Sequence, residues 1–159
     1  AIELSRVAYV NSSLFLDEAN GIKQLVRAAQ GLELEFSATQ SDLSLQSEKL
    51  RTIVGEINKL RADPVVNAKA LEEKQAAGLK LQQELQAKQQ EAQAAYSKRQ
   101  QEVQGPVALE IGKEIRAFAQ ERNIGMLFDV AKLGDALLDA RSDLDLTAEF
   151  IAHYNGKHQ

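Results

Sequence analysis

Between Leu32 and Tyr96, apolar side chains recur with the alternating four-and-three spacing of a coiled-coil seam. Going up, Phe36, Leu43, Leu50 and Ile57 keep a heptad step, each followed by a second position (Thr39, Gln46, Ile53, Leu60), with Leu32 ahead of them. Coming down, Leu71, Gly78, Leu85 and Ala92 keep the same step, joined by Ala68, Gln75, Gln82, Gln89 and Tyr96. Folding the chain at Pro64 sets the two patterns face to face. Leu43 then meets Leu85, Ile57 meets Leu71, Leu50 meets Gly78, Leu60 meets Ala68, Phe36 meets Ala92 and Leu32 meets Tyr96. The polar positions also coincide, Gln46 with Gln82 and Thr39 with Gln89. The pattern predicts a long antiparallel helical hairpin with its tip at 61–64. Pro64 suits the tip because it disfavours helix before itself and can open the next helix. Arms of about thirty residues project roughly 45 Å at 1.5 Å per residue.

The flanking stretches read differently. Arg6-Val7-Ala8-Tyr9-Val10 is a β-favouring run closed by the capping residues Asn11-Ser12-Ser13. A short helix from Leu14 to Ala19 follows, with Asp17 and Glu18 near its positive end, and stops at Asn20-Gly21 as a left-handed terminus. Ile22, Leu25 and Ala29 open the ascending arm in phase with its seam. Gly105-Pro106 interrupts the descending pattern and predicts a hinge, because proline cannot continue the helical ladder. Val107, Ile111, Ile115 and Phe118 then form a new apolar stripe on a helix ending near Asn123. Met126 to Val130 reads as a second strand, and Ala136 to Ala140 as a third. Asp145-Leu146-Thr147 caps a last helix, Ala148 to Tyr154, with Phe150, Ile151 and Tyr154 facing a core and Asn155-Gly156 ending it.

The fold class expected is α+β: a coiled-coil hairpin at 32–104 on a small β-rich body made of 1–31 and 105–159, its strands drawn from both chain ends. The body holds about 85 residues, marginal for an independent core, and three short strands leave open edges, so association with further copies is expected. The Gln-rich returning arm admits two readings, a loose seam whose arms bend or splay and a plain solvated helix.

Composition narrows the function classes. Net charge is −4 over 159 residues. It is uneven: residues 45–90 carry +2, and 1–44 and 107–159 carry −3 each. The hairpin lacks the clustered basic residues of a nucleic-acid surface, and no apolar run approaches the length of a membrane span. Cysteine is absent, which removes thiol chemistry and disulfides. The start at Ala1 fits either a mature end left by signal-peptide removal or an arbitrary boundary.

No catalytic constellation is present, and an enzyme is not expected. His153 and His158 lack a metal-ligand spacing and read as ordinary surface or core histidines. Asp135, Asp139, Asp143 and Asp145 lack the glycine and final Glu of a calcium loop and read as turn and cap residues. Glycine-rich phosphate loops are missing, and no cofactor or metal is expected. What remains is the hairpin surface. Leu34, Leu45, Val54, Val65, Val66, Leu79 and Leu81 lie off the seam, and Lys49, Arg51, Lys59, Arg61, Lys69 and Lys74 lie near the tip. Singly these are ordinary surface residues. Together, aliphatics beside mobile Lys and Gln side chains suit weak contact with extended apolar chains, the basic residues adding attraction to acidic ones.

The order of these features resembles the Skp/OmpH family of periplasmic chaperones across essentially the whole chain. It rests on Val7-Ala8-Tyr9-Val10-Asn11-Ser12-Ser13, the Asn20-Gly21 break, the hairpin, Asn123 to Val130, Leu137-Leu138-Asp139-Ala140 and Asp145-Leu146-Thr147. The resemblance implies a homotrimer with a small β-barrel body and three tentacles around a cavity. It also implies ATP-independent holding of unfolded outer-membrane proteins in the periplasm. Strongly basic relatives are common in that family, and this acidic chain offers no matching lipopolysaccharide cluster. Two other readings stand beside it. A prefoldin-like chaperone also has tentacles but places its strands mid-chain, and a structural coiled-coil adaptor would need one defined hot-spot patch.

Overall fold

The computed structural model describes residues 6–65 and 67–159; Val66 and the start at Ala1 lie outside the described residues. The chain divides into two compact units, one from 1–31 with 100–159 and one from 32–99. Two long helices, α1 (Lys23–Ala62) and α2 (Ala68–Glu121), contribute to both.

Within 32–99 the two helices form the antiparallel hairpin. The turn occupies 63–67, later than expected, and Pro64 does not open α2. Asp63 instead turns the chain by accepting a 2.9 Å hydrogen bond from the Val65 amide. Asn67 caps α2, its side-chain oxygen accepting from the Ala70 amide at 3.1 Å, a role asparagine fills well. The later turn moves the whole register. Phe36 meets Tyr96 edge to face at 5.2 Å, not Ala92, and Gly78 faces Ile53 and Ile57 rather than Leu50. Lys88 reaches Asp42 at 3.3 Å, and Arg99 reaches Glu35 at 3.0 Å. The expected seam of the first arm reappears in its half-buried positions, Leu43, Gln46, Leu50, Ile53, Ile57 and Leu60, with Thr39 exposed. On the second arm Leu71, Gly78, Leu85, Ala92 and Tyr96 keep their expected inward places, but the companion positions differ. Lys74, Gly78, Leu81 and Leu85 turn inward, while Gln75, Gln82 and Gln89 are exposed. The polar pairs Gln46–Gln82 and Thr39–Gln89 are therefore not formed.

In the other unit, β1 (Arg6–Val10) pairs in parallel with β2 (Ile124–Asp129), in a register running from Arg6 opposite Ile124 to Val10 opposite Asp129. A parallel pair needs a long crossover, and both long helices lie between the strands in sequence. Ala8 and Val10 face inward, the alternation expected of a half-buried strand. The core joins Val10, Phe15, Ile22, Val107, Ile111, Phe118, Phe150, Ile151 and Tyr154. Four aromatic rings meet in it: Phe150 lies 5.6 Å from Phe15, 5.3 Å from Phe118 and 6.2 Å from Tyr154. Each such buried side chain contributes about 1.5–3 kcal/mol relative to exposure.

Several expected elements change. The short helix is a 3₁₀ turn over Ser12–Leu16, capped by Asn11. Asp17 lies past its end, accepting from the Ala19 and Asn20 amides at 3.1 and 2.7 Å. Helix α2 runs unbroken through Gly105-Pro106. Proline deletes one backbone bond there, yet Val107 and Ile111 are buried on the same helix and hold it. Asn123 closes the helix in the left-handed region (φ 52°). Strand β2 ends at Asp129, whose side chain caps the one-turn α3 (Val130–Leu133). The third strand is absent: 134–136 forms a 3₁₀ turn and 137–140 has no regular structure, so the described residues hold a two-stranded sheet. Leu138 is 96% exposed, so this stretch buries little of its apolar surface. A single parallel bridge, Tyr9 to Asp145, is what that region adds to β1. Helix α4 (Thr147–Lys157) runs past Gly156. Asn155 is occupied elsewhere, accepting from the Lys23 amide at 3.0 Å and donating to the Gly21 carbonyl at 3.0 Å, which seals the start of α1.

Candidate functional site

The hairpin surface carries the candidate contact residues. On α1, Leu34 and Leu45 are eleven residues apart, about three full turns, and so share one face; they are 76% and 63% exposed. Val54 lies on another face, and Leu79 on α2 is 57% exposed. Val65 stands free at the turn. Leu34, Val54 and Leu79 stand exposed on their helices, while Leu45 borders the opposing arm. Their faces differ, so they form no single continuous stripe.

One region does converge. Leu45, Glu48, Lys49, Thr52, Ile53 and Glu56 of α1 and Lys74 and Leu81 of α2 line an open groove of about 430 Å³ along the hairpin. Its floor is aliphatic and its rims carry both charges. Lys74 pairs with Glu56 across the arms, and Arg51 pairs with Glu48 at 3.3 Å along α1. The structure thus brings Leu45, Lys49, Lys74 and Leu81 together from the residues singled out in sequence. Leu81 is not a free surface residue as expected; it is half-buried between the arms. Lys74 likewise lies inward, its stem packed and its ammonium neutralised by Glu56. Lys49, Lys59, Arg61 and Lys69 are exposed. With Arg51 and Lys74 already paired to carboxylates, the basic field expected near the tip is weaker than the sequence count suggests. Further along, the pKa of Asp42 is held below the usual carboxylate range by the hydrogen bond from Gln46 and then by Lys88.

The loop acids behave as turn residues. Asp143 is bound by Arg141, one contact measuring 3.0 Å, and Asp145 accepts from the Thr147 amide at 2.9 Å, fixing the entry to α4. The histidines do not. His153 and His158 both lie against Glu114 of α2, at 3.8 and 3.9 Å. Nothing in the local sequence shows this, since more than thirty residues separate them from Glu114. Among the described residues no helix is long and apolar enough to cross a membrane.

Comparison with known proteins places this geometry. No curated protein matches the sequence. Among solved structures, a chain from Caulobacter crescentus described as an OmpH-like outer membrane chaperone is similar, with a TM-score of 0.53 at 17% identity. The match covers 99% of this chain and 88% of that one, and at that identity it speaks for the fold. A sequence profile of the family described as outer membrane protein (OmpH-like) matches residues 6–154, nearly the full length. The chain with strands at both ends of a two-helix hairpin therefore belongs to the OmpH-like outer membrane protein family.

Proposed function

We propose that this chain is an ATP-independent holdase that takes up unfolded outer-membrane proteins in the periplasm and acts as a homotrimer. The observation that carries the reading is the hairpin surface, with isolated aliphatics on several faces and one mixed-charge groove at Leu45 and Leu81. The solved relative described as an outer membrane chaperone supports the same direction.

An unfolded barrel strand exposes apolar side chains and unpaired backbone that aggregate with copies of itself. Exposed leucines on a helix offer it many shallow contacts and no deep pocket. Each is weak, but a client engaged by hairpins of three copies gains from their effective concentration. Paired charges such as Lys74–Glu56 keep the groove wetted and discourage collapse. Release then needs no nucleotide, only a folded or inserted client state of lower free energy. Lys49, Arg51, Lys59, Arg61 and Lys69 supply modest attraction to acidic segments, and Gly105-Pro106 is a position where one missing backbone bond lets α2 bend. The body in this proposal is a small β-barrel shared by three copies. An adaptor for one folded partner is less well supported, because the exposed aliphatics are spread over different helix faces.

The test is dilution of a denatured outer-membrane β-barrel protein into buffer with and without the chain, followed by light scattering. Suppression at one trimer per client is expected, and Leu45→Ser combined with Leu79→Ser should raise the concentration needed several-fold. Scattering that rises equally with and without the chain rejects the holdase reading.

A further inference from the structure

Helix α4 packs onto α2 through Phe150, Ile151 and Tyr154 against Ile111 and Phe118. That packing sets His158, at the end of α4, over the α2 face that carries Glu110 and Glu114 one turn apart. One ligand atom from each of Glu110, Glu114 and His158 lies within 4.8 Å of the other two. His158 is oriented by its neighbour: its ring stacks on Tyr154 at 4.3 Å with a 23° tilt. Its Nε2 is buried, has no hydrogen-bond partner and stands 3.9 Å from Glu114 Oε1. A buried nitrogen left without a partner is destabilising, so its position beside two carboxylates needs a reason.

We propose that Glu110, Glu114 and His158 form a binding site for a divalent transition metal of the zinc class. Two carboxylates and an imidazole suit such a borderline cation, whereas calcium and magnesium prefer oxygen-only sets. In a tetrahedral zinc site with bonds of about 2.0–2.1 Å, ligand atoms stand roughly 3.3 Å apart. The observed spacing is wider, and small rotamer changes of the half-buried glutamates close it. The two carboxylates balance the charge of the ion, and a water completes the shell.

Two lysines now serve the glutamates as counter-charges. Lys157 Nζ lies 2.9 Å from Glu114 Oε2, and Lys113 Nζ lies 3.6 Å from Glu110. Both are half-exposed or more and can swing into solvent, so they compete with the metal without sealing the site. His153 Nε2, also buried and without a hydrogen-bond partner, is 3.8 Å from Glu114 Oε2 and lies outside the trio. A metal here would tie the end of α4 to α2, so occupancy should stabilise the fold by mass action.

The experiment uses the full, untagged chain after treatment with a chelator. Zinc is titrated by calorimetry, with thermal melting in parallel and magnesium as the comparison ion. One zinc per chain with a rise in melting temperature is expected, and magnesium at the same concentration should do neither. His158→Gln should weaken zinc roughly tenfold or more, the loss of one ligand contact. Lys157→Met, which removes the competing ammonium, should tighten it several-fold. Circular dichroism of each variant reports whether the fold is kept. No saturable zinc binding by the wild-type chain, or equal affinity in the folded His158→Gln variant, overturns the proposal.

Discussion

Gly21 shows how a residue can be recognised correctly for the wrong reason. Its backbone is not left-handed; Gly134 is the glycine with positive φ among the described residues. A Cβ at Gly21 would stand 2.5 Å from the carbonyl oxygens of Phe15 and Asp17. The chain turns so tightly there that only a hydrogen fits, since the Gly21 and Ile22 amides donate to those same carbonyls at 2.8 Å. Gly21→Ala should therefore destabilise the unit by about 1–3 kcal/mol, the usual penalty for overpacking. Chemical denaturation measures it, and an unchanged midpoint would mean that the loop relaxes freely. Asn155 makes a related point. It resembles a helix stop in sequence, but its side chain is spent on the backbone at 21 and 23, and α4 continues past it.

At the scale of elements, the second arm illustrates the ambiguity of a heptad. From Leu71, Gly78 and Leu85 the companion position can lie four residues on, at Gln75, Gln82 and Gln89, or three on, at Lys74, Leu81 and Lys88. Glutamines read as a polar seam only if the first choice is made. The structure makes the second, because Leu81 buries apolar area while Lys74 and Lys88 find carboxylates on α1. These cross-arm pairs reach solvent and are partly screened, and each contributes little by itself. Their pH dependence is still measurable. The Gln46 amide and then Lys88 hold the Asp42 carboxyl below its ordinary value of 3.8. A depressed acid contributes stability that is full above its unfolded pKa and is lost as pH falls through the folded one. Melting between about pH 5 and pH 2 should fall more steeply for the wild-type chain than for Asp42→Asn. Parallel curves would show that Asp42 gains nothing from its partners in the folded state.

For the molecule as a whole, the two-stranded sheet leaves a question of partners. Isolated strand pairs are marginal in water, and Met126, Phe128 and Val7 are exposed beside an edge that the described residues leave unpaired. In the proposed homotrimer, copies of the chain supply the missing strands and cover these side chains. Sedimentation should then give a mass of three times 17.5 kDa. Phe128→Lys, which sets a charge into that contact, should lower the mass towards a single chain. A single-chain mass for the wild type at micromolar concentration would remove the trimer and weaken the avidity argument that rests on it.

What the sequence determined by itself is the repeating local physics. Heptad spacing gave two helices and their return, a β-favouring run gave β1, and the apolar stripe from Val107 to Phe118 with Phe150, Ile151 and Tyr154 gave the core. Each is a pattern within one segment and needs no knowledge of neighbours. Tertiary structure alone decided what depends on a second segment. The register between the arms follows the true turn after Ala62, the stretch at 137–140 is no strand because nothing among the described residues pairs with it, and Gly21 is required by carbonyls that fold back over it. The meeting of His158 with Glu110 and Glu114 belongs to the same class, since residues far apart in the chain become neighbours only when one helix is laid on another.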